Sequence, residues 1–179
     1  MCAQRPQSAT KAHASVVGKD RPTLESEGQN SDGASLYSAA DMRALVQRVS
    51  RAAVRIDERL VAEIGPGLLV LLGVTHEDDG ATADRLAAKV RALRIFPDAS
   101  GHMNEALGER EILCVSQFTL YGDVRRGNRP SFIAAAGSGH AEPLYRRFCE
   151  RARAEQGVFG AQMAVELVND GPVTLMIEA

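Results

Sequence analysis

Alternating apolar and polar residues first appear at Arg43, and the segments that follow predict a series of strands. Residues 43–50, RALVQRVS, have the alternation of a strand, and residues 52–65, AAVRIDERLVAEIG, predict two short strands joined by a turn at Asp57 and Glu58. Residues 68–74, LLVLLGV, form an apolar run without a polar residue, which indicates a strand buried on both faces.

The pattern then changes to helical spacing. In residues 80–96, GATADRLAAKVRALRIF, the side chains of Leu86, Val90 and Leu93 recur on one face of a helix. Thr82 is the expected N-cap, because a side-chain hydroxyl can accept a hydrogen bond from the first helical N–H groups.

The second half of the chain repeats both patterns. Residues 111–120, EILCVSQFTL, predict a strand, and residues 142–156, EPLYRRFCERARAEQ, predict a helix with Pro143 at an early position. Residues 163–168 and 173–179 predict two closing strands around an NDGP turn. The order β-β-β-β-α-β-α-β-β predicts an α+β fold, a small curled β-sheet or barrel-like domain with two helices.

Residues 1–41 differ in composition from the rest of the chain. They are rich in Ser, Ala, Gly, Gln and Asp, so we predict a disordered N-terminal extension followed by one folded domain over residues 42–179. A secretory signal fits poorly, since acidic residues are present and an apolar core is absent. The other interpretation is that Met42 is the natural start and residues 1–41 are an upstream extension.

Composition narrows the classes of protein that fit. The chain has 179 residues, 45% of them hydrophobic, and a formal net charge of −2, which argues against a uniformly basic nucleic-acid-binding surface. No apolar run approaches the roughly 20 residues of a membrane span. The three cysteines indicate a reducing, cytoplasmic compartment, and neither CxxC nor HExxH is present, so we expect no metal and no cofactor.

The first candidate for chemistry is SQFTL, residues 116–120, at the end of a predicted buried strand. Ser116 and Thr119 carry hydroxyl groups, but a hydroxyl nucleophile needs a base, and only Asp123 is near in sequence. The alternatives are local hydrogen bonds at a turn, or an oxyanion hole made from consecutive backbone N–H groups.

Two further segments combine a structural and a functional interpretation. Arg125, Arg126 and Arg129 in DVRRGNRPSF form either a solvated basic loop or a phosphate-binding loop, since guanidinium groups suit phosphate oxygens. Phe159, followed by Gly160, is either a core aromatic residue or a ring on which a base can stack.

Several motifs together resemble the D-aminoacyl-tRNA deacylase family, also called the D-Tyr-tRNA deacylase family. They are MRALVQRVSRAAV from Met42, GLLVLLGV, RIFPDASGHMN, SQFTLYGD, RRGNRPSF, EPLYRRF and FGAQMAVELVNDGPVT. The resemblance covers residues 42–179, and its most specific part is the pair SQFTL and NDGPVT, roughly fifty residues apart.

The resemblance implies a function, a partner and a set of residues. It implies a homodimeric, cytoplasmic, RNA-binding hydrolase that proofreads aminoacyl-tRNA, removing D-amino acids, and glycine mischarged on tRNA(Ala), with sites at the subunit interface. A Gly-cis-Pro element, Gly171-Pro172 here, would enter the partner's site and exclude L-amino acids by shape. The ribose 2′-OH of the substrate would help to activate water, with no cofactor. The assigned catalytic residues are Ser116, Gln117, Phe118 and Thr119, and the assigned substrate contacts are Phe159, Gly160, Met163, Gly171 and Pro172.

Two expectations come from the residues beside that resemblance. The backbone N–H groups of Phe118 and Thr119 are predicted to stabilise the oxyanion, and Arg126 in the basic loop is predicted to contact acceptor-stem phosphates. The alternative function is a non-catalytic nucleic-acid-binding dimer of the same fold, which the basic loop and Phe159 would serve equally well.

Overall fold

Eight strands and two helices form the regular structure of residues 41–179, the part of the chain that a computed structural model describes. The predicted disordered extension falls on residues 1–41 and so lies, apart from Asp41, outside the described residues. The elements are β1 Arg43–Ile56, β2 Arg59–Ile64, β3 Gly67–Gly73, α1 Gly80–Ala92, β4 Phe96–Pro97, β5 Met103–Glu105, β6 Glu111–Ser116, α2 Ser138–Ala152, β7 Glu155–Gln156 and β8 Ala164–Glu178.

The long strand β1 organises the sheet. One edge of β1 pairs antiparallel with β8, and the other edge pairs antiparallel with β3 in its first half and with β2 in its second half. Beyond β3 the sheet continues with β6 and β7, both parallel to their neighbours, while β4 and β5 form a separate two-stranded sheet. This curled mixed sheet with two helices confirms the predicted α+β class.

Strand β3 is buried on both faces, as its apolar run predicts. Leu68, Val70 and Leu72 lie in a core that α1 and α2 also line, whereas Leu69 lies in a second core enclosed by the curled sheet. From the helices, the first core receives Leu86, Val90, Leu144, Tyr145, Phe148 and Ala152.

The helix starts differ from the predictions. Asp79, not Thr82, caps α1, because the Asp79 carboxylate accepts the backbone N–H and the hydroxyl of Thr82, both at 2.8 Å. Helix α2 starts at Ser138, four residues before the predicted start, so Pro143 lies inside the helix rather than in its first turn. Residues 137–140, GSGH, therefore supply the N-cap and the first turn of this helix.

Two predicted breaks between strands are absent. The predicted strands over residues 43–50 and 52–56 are one strand, β1, whose turn follows at Asp57 and Glu58 with positive φ, as expected for that turn. The NDGP segment does not reverse the chain, because both halves of β8 pair with β1 in the same direction. Asn169 lies opposite Val49 and Thr174 opposite Gln47, so residues 170–173 bulge out of a continuous strand.

Candidate functional site

A cavity of about 380 Å³ lies where β6 ends. Residues from four parts of the sequence line it: the end of β3, the end of β6, the start of α2, and the segment that leads into β8. These residues are Val74, Val115, Ser116, Gln117, Phe118, Ala136, Ser138, Ala141, Phe159, Gly160, Ala161, Met163 and Val165. The cavity thus joins six of the residues that the sequence predicts for a site.

Strand β6 ends at Ser116, and the chain then turns at once. The Gln117 N–H still donates to the Leu72 carbonyl of β3 at 2.7 Å, but Phe118–Tyr121 form a 3₁₀ turn, so the predicted strand over residues 111–120 is too long. The turn packs closely on Gly73, where a Cβ atom would lie 2.9 Å from the Tyr121 ring and 3.2 Å from the Gln117 carbonyl oxygen.

The 3₁₀ turn begins at the edge of the cavity. Phe118 and Thr119 are its first two residues, and the N–H groups at the start of such a turn have no acceptor within it. The Thr119 hydroxyl is engaged by the Gln117 side-chain amide, which donates to it. The half-exposed Phe118 ring packs edge-on against Phe132, with 5.1 Å between centroids. Of the two, Phe118 lines the cavity and Thr119 does not.

The opposite wall is held by a buried tyrosine. The Tyr145 hydroxyl donates to the carbonyl oxygens of Cys114 and Gly157, at 2.9 and 3.3 Å, and burial raises its pKa well above the ordinary value. The Tyr145 ring also contacts Phe159, with 5.7 Å between centroids, and Gly160 follows with a φ of 74°. Phe159 thus packs against the core through Tyr145 and also forms part of the cavity wall, while base stacking on its ring stays a prediction.

Every side chain that lines the cavity is uncharged. The polar ones belong to Ser116, Gln117 and Ser138, and the rest are apolar or glycine. Among these lining residues there is no histidine or carboxylate that could take a proton from the Ser116 hydroxyl. The chemistry available to the chain here is hydrogen bonding and shape.

Gly171 and Pro172 lie away from this cavity, at the exposed bulge of β8. The peptide bond between them is cis. Asn169 closes the bulge: its Oδ1 accepts the Val173 N–H at 2.9 Å, and its Nδ2 donates to the Thr174 hydroxyl at 3.0 Å. The structure therefore does not bring this pair together with residues 116–119 within one chain.

Arg48 contacts the bulge from the buried side of the sheet, and this role was not predicted from the sequence. Its side chain is 9% exposed, its Nε lies 3.2 Å from the Asp170 carbonyl oxygen and 3.0 Å from the Asp170 carboxylate, and its Nη1 donates to the Ile95 carbonyl at 2.5 Å. A Cβ atom on Gly171 would lie 2.7 Å from the Arg48 guanidinium. Its position in the sequence indicated burial, since Arg48 continues the inward-facing positions of Ala44 and Val46 on β1.

The predicted basic loop contains one engaged arginine. Arg125 forms a two-point ion pair with Asp123, at 2.9 and 2.7 Å, and this contact holds the pKa of Asp123 well below its usual range. Arg126 and Arg129 form no ion pair with any described residue, and neither lines the cavity. At the predicted position, Arg126 is therefore a cation without an ion pair among the described residues, and Arg129, three residues further on, is a second.

Two kinds of feature are absent from the described residues. No helix in residues 41–179 is long and apolar enough to cross a membrane. Within the same residues, no three or more His, Cys, Asp and Glu side chains are grouped so that they could hold a metal ion.

Comparison with known proteins assigns most of the chain to one family. A family model described as D-Tyr-tRNA(Tyr) deacylase matches residues 45–178. A D-aminoacyl-tRNA deacylase of Symbiobacterium thermophilum is 58% identical over 145 residues, 77% of this chain and 96% of the relative. One of Thermomicrobium roseum is 55% identical over 145 residues, 77% of this chain and 94% of the relative.

Two solved structures share the fold. One, described as a c-Myc DNA unwinding element binding protein, is 41% identical with a TM-score of 0.72, over 76% of this chain and 98% of the other. Another, a probable eukaryotic D-amino acid tRNA deacylase, has a TM-score of 0.68 over 78% of this chain and 100% of the other. Its identity is 18%, so it supports the fold alone.

Proposed function

The chain belongs to the D-Tyr-tRNA(Tyr) deacylase family, and from this membership we propose how it recognises and hydrolyses its substrate. It is a D-aminoacyl-tRNA deacylase, a carboxylic ester hydrolase that acts on aminoacyl-tRNA. The observation that carries the mechanism is the cavity at the end of β6. Its lining is uncharged and includes Ser116, Gln117 and Phe118. The bond cleaved is the ester between the amino acid and the terminal ribose, and the products are free D-amino acid and tRNA.

The N–H groups of Phe118 and Thr119 bind the developing oxyanion. They lie at the start of the 3₁₀ turn, where no acceptor within the turn competes for them. Ser116 and Gln117 shape the wall next to the ester, and the Gln117 amide fixes the Thr119 hydroxyl. Because the lining carries no charged base, the ribose 2′-OH of the substrate assists the attacking water, as the family resemblance implies.

The terminal adenosine enters between Phe159, Gly160 and Met163. All three line the cavity, and Phe159 is only partly covered by Tyr145, so its ring offers an apolar face to the base. Arg126, which forms no ion pair with a described residue, contacts a phosphate of the acceptor stem.

Chirality is imposed by the Gly171-Pro172 pair of a second subunit. The pair is exposed and does not line the cavity of its own chain, so it reaches a site only if a second copy supplies it. Backbone placed against the Cα of the substrate would reject every L side chain by shape, whatever its identity. Glycine has no side chain to exclude, so glycine mischarged on tRNA(Ala) is also accepted.

The surface of β8 is the proposed dimer interface. Among the described strands β8 pairs only with β1, which leaves its other edge open over a strand of fifteen residues. Large apolar side chains are exposed along it, namely Leu167, Val168, Leu175 and Met176. An open apolar edge of this length is stabilised when a partner covers it.

A two-variant experiment tests the shared site. Phe159→Ala damages the cavity, and Gly171→Ala damages the bulge, because its Cβ would meet Arg48 in a backbone with a φ of 116°. A mixed dimer of the two variants contains one undamaged site if the sites span subunits. We expect mixing to restore hydrolysis of D-Tyr-tRNA while L-Tyr-tRNA stays intact. Mixed dimers no more selective than the average of the two parents would contradict the proposal.

The alternative is a nucleic-acid-binding dimer without catalysis, favoured by the DNA-binding description of the 41% identical structure. One assay separates the two functions: release of free amino acid from D-Tyr-tRNA, L-Tyr-tRNA and Gly-tRNA(Ala). We expect rapid release from the first and third substrates and little from the second. A folded protein that binds tRNA without releasing D-tyrosine would establish the alternative.

A further inference from the structure

Asp78 is a buried carboxylate with an incomplete set of partners. The residue is 3% exposed, and its Oδ2 accepts the Thr75 N–H at 2.7 Å. Its Oδ1 is buried and has no hydrogen-bond partner in the part of the chain that the structure describes. A carboxylate oxygen buried without a partner is costly, so its surroundings indicate what would satisfy it.

The nitrogen of Met42 faces this carboxylate. Burial raises the pKa of Asp78 above its ordinary value, and the N–H groups of Thr75 and Met42 lower it in part. Met42 is fully buried, and its carbonyl accepts the Ala179 N–H at 3.3 Å, so its position at the start of β1 is fixed. As a peptide nitrogen Met42 has one proton to donate, and Oδ1 remains without a partner.

A second acceptor lies close to the same nitrogen. The Tyr121 hydroxyl, on a residue 4% exposed, donates to the Asp41 carbonyl oxygen at 2.5 Å. That carbonyl carbon is bonded to the Met42 nitrogen, which places the Tyr121 oxygen within about 5 Å of it. The Met42 nitrogen therefore lies near two buried acceptors, the Asp78 carboxylate and the Tyr121 oxygen.

The charges around the pocket also favour a cation. Burial and the nearby carboxylates of Asp78, Glu178 and Asp41 raise the pKa of Tyr121, whereas Arg43 lowers it. Asp41 also raises the pKa of Asp78, and His140 lowers it. Arg43 pairs with Glu178 at 2.9 Å and also lies over the Tyr121 ring, 4.6 Å from its centroid, and the ion pairs among the described residues include none to Asp78. His140, whose ring nitrogen contacts the Asp78 carbonyl oxygen at 2.9 Å, is the other titratable group facing it.

We propose that Asp78 and Tyr121 form a binding site for an α-ammonium group on Met42, produced by cleavage before that residue or by initiation at it. The ammonium group has three protons, enough to satisfy both Oδ1 of Asp78 and the Tyr121 oxygen, and its charge neutralises the carboxylate. Cleavage also removes the negative charge of Asp41.

The site adjoins the turn that carries the cavity N–H groups. Tyr121 ends the 3₁₀ turn that Phe118 begins, and Arg43, the residue after Met42, donates to the Leu120 carbonyl at 2.9 Å. A charged group fixed between Asp78 and Tyr121 would therefore stabilise this turn through its last residue, Tyr121.

The test is a double-mutant cycle on unfolding by urea. The full chain and a chain that begins at Met42 are each compared with their Asp78→Asn variants. The shorter chain retains every described strand and helix, and the bacterial relatives consist almost entirely of the matching segment. We expect Asp78→Asn to lower the folding equilibrium constant about tenfold more in the chain that begins at Met42, as for a partly buried charge pair.

Asp79→Asn is the matched control. Asp79 is the adjacent carboxylate, but it caps α1 through Thr82, so its loss should be equal in the two chains. Equal losses for Asp78→Asn in the two chains would overturn the proposal, as would failure of the shorter chain to fold.

A second measurement needs no Asp78 variant. The shorter chain is labelled with ¹³C-methionine, and the Met42 Cα resonance, which shifts when the free α-amino group loses its proton, is titrated by NMR. In the site the pKa of this amino group should lie above the ordinary range of about 7.7–8.0 for an α-amino group, because a buried carboxylate favours the charged form. A pKa within that range would also overturn the proposal.

Discussion

Replacing Arg48 by methionine should destabilise the protein through the bulge of β8. Methionine keeps much of the apolar stem but removes the donors to the Ile95 and Asp170 carbonyl oxygens and the ion pair with the Asp170 carboxylate. A hydrogen bond that involves a charged group contributes about 1.5–3 kcal/mol. The Asp170 side chain is 53% exposed and can be rehydrated, and removing a buried charge offsets part of the loss, so we expect about 2–3 kcal/mol.

The assay is equilibrium unfolding in urea, with Arg55→Met as the matched control. Arg55 is on the same strand and also pairs with a β8 carboxylate, Glu166, but both side chains are well exposed, at 38% and 56%. An exposed pair contributes about 0–1 kcal/mol, so the Arg48 variant should lose clearly more stability. Equal losses in the two variants would refute the role given to burial and to the Arg48 hydrogen bonds.

The same Arg48 variant addresses function. If the bulge supplies Gly171 and Pro172 to a second subunit, loosening it should increase hydrolysis of L-Tyr-tRNA relative to D-Tyr-tRNA. Arg55→Met should leave that ratio unchanged. A destabilised Arg48 variant with undiminished rejection of L-Tyr-tRNA would separate the bulge from chiral selection.

Three other variants test separate parts of the molecule. Thr119→Ala should retain hydrolysis of D-Tyr-tRNA within about tenfold, because the backbone N–H rather than the hydroxyl is proposed to act; complete loss in a folded protein would indicate a covalent role. Arg126→Ala should weaken tRNA binding and reduce the slope of log K against log salt by about 0.7–0.9, whereas Arg125→Ala, which removes an ion-paired side chain, should change it less. The Arg147 guanidinium lowers the pKa of Asp84 to about 2, so the stability from this pair is present above the unfolded pKa, about 3.8, and is lost as pH falls towards about 2. Asp84→Asn should remove that part of the melting temperature's dependence on pH, and an unchanged profile between pH 5 and 2.5 would contradict it.

The six predicted residues that line the cavity fall into two short segments of the sequence. Ser116, Gln117 and Phe118 lie at the end of a buried strand, and Phe159 and Gly160 precede the last strand. Both segments can be located in the sequence because an apolar strand pattern stops or starts next to them. Arg48 was missed because an arginine in an alternating segment normally lies on the exposed face. Its inward position depends on the Ile95 and Asp170 carbonyl oxygens, which are 47 and 122 residues away.

The sequence alone determined the class of fold, both helices and the strand buried on both faces, because apolar spacing is a local property that decides which face of an element avoids water. Tertiary structure decided what local spacing cannot. NDGP is a bulge and not a turn because β1 pairs with residues on both sides of it. GSGH belongs to α2, and Asp78 faces Met42, because chain segments far apart in sequence meet there. Those contacts depend on long-range pairing, and composition in a short window carries no record of the partner.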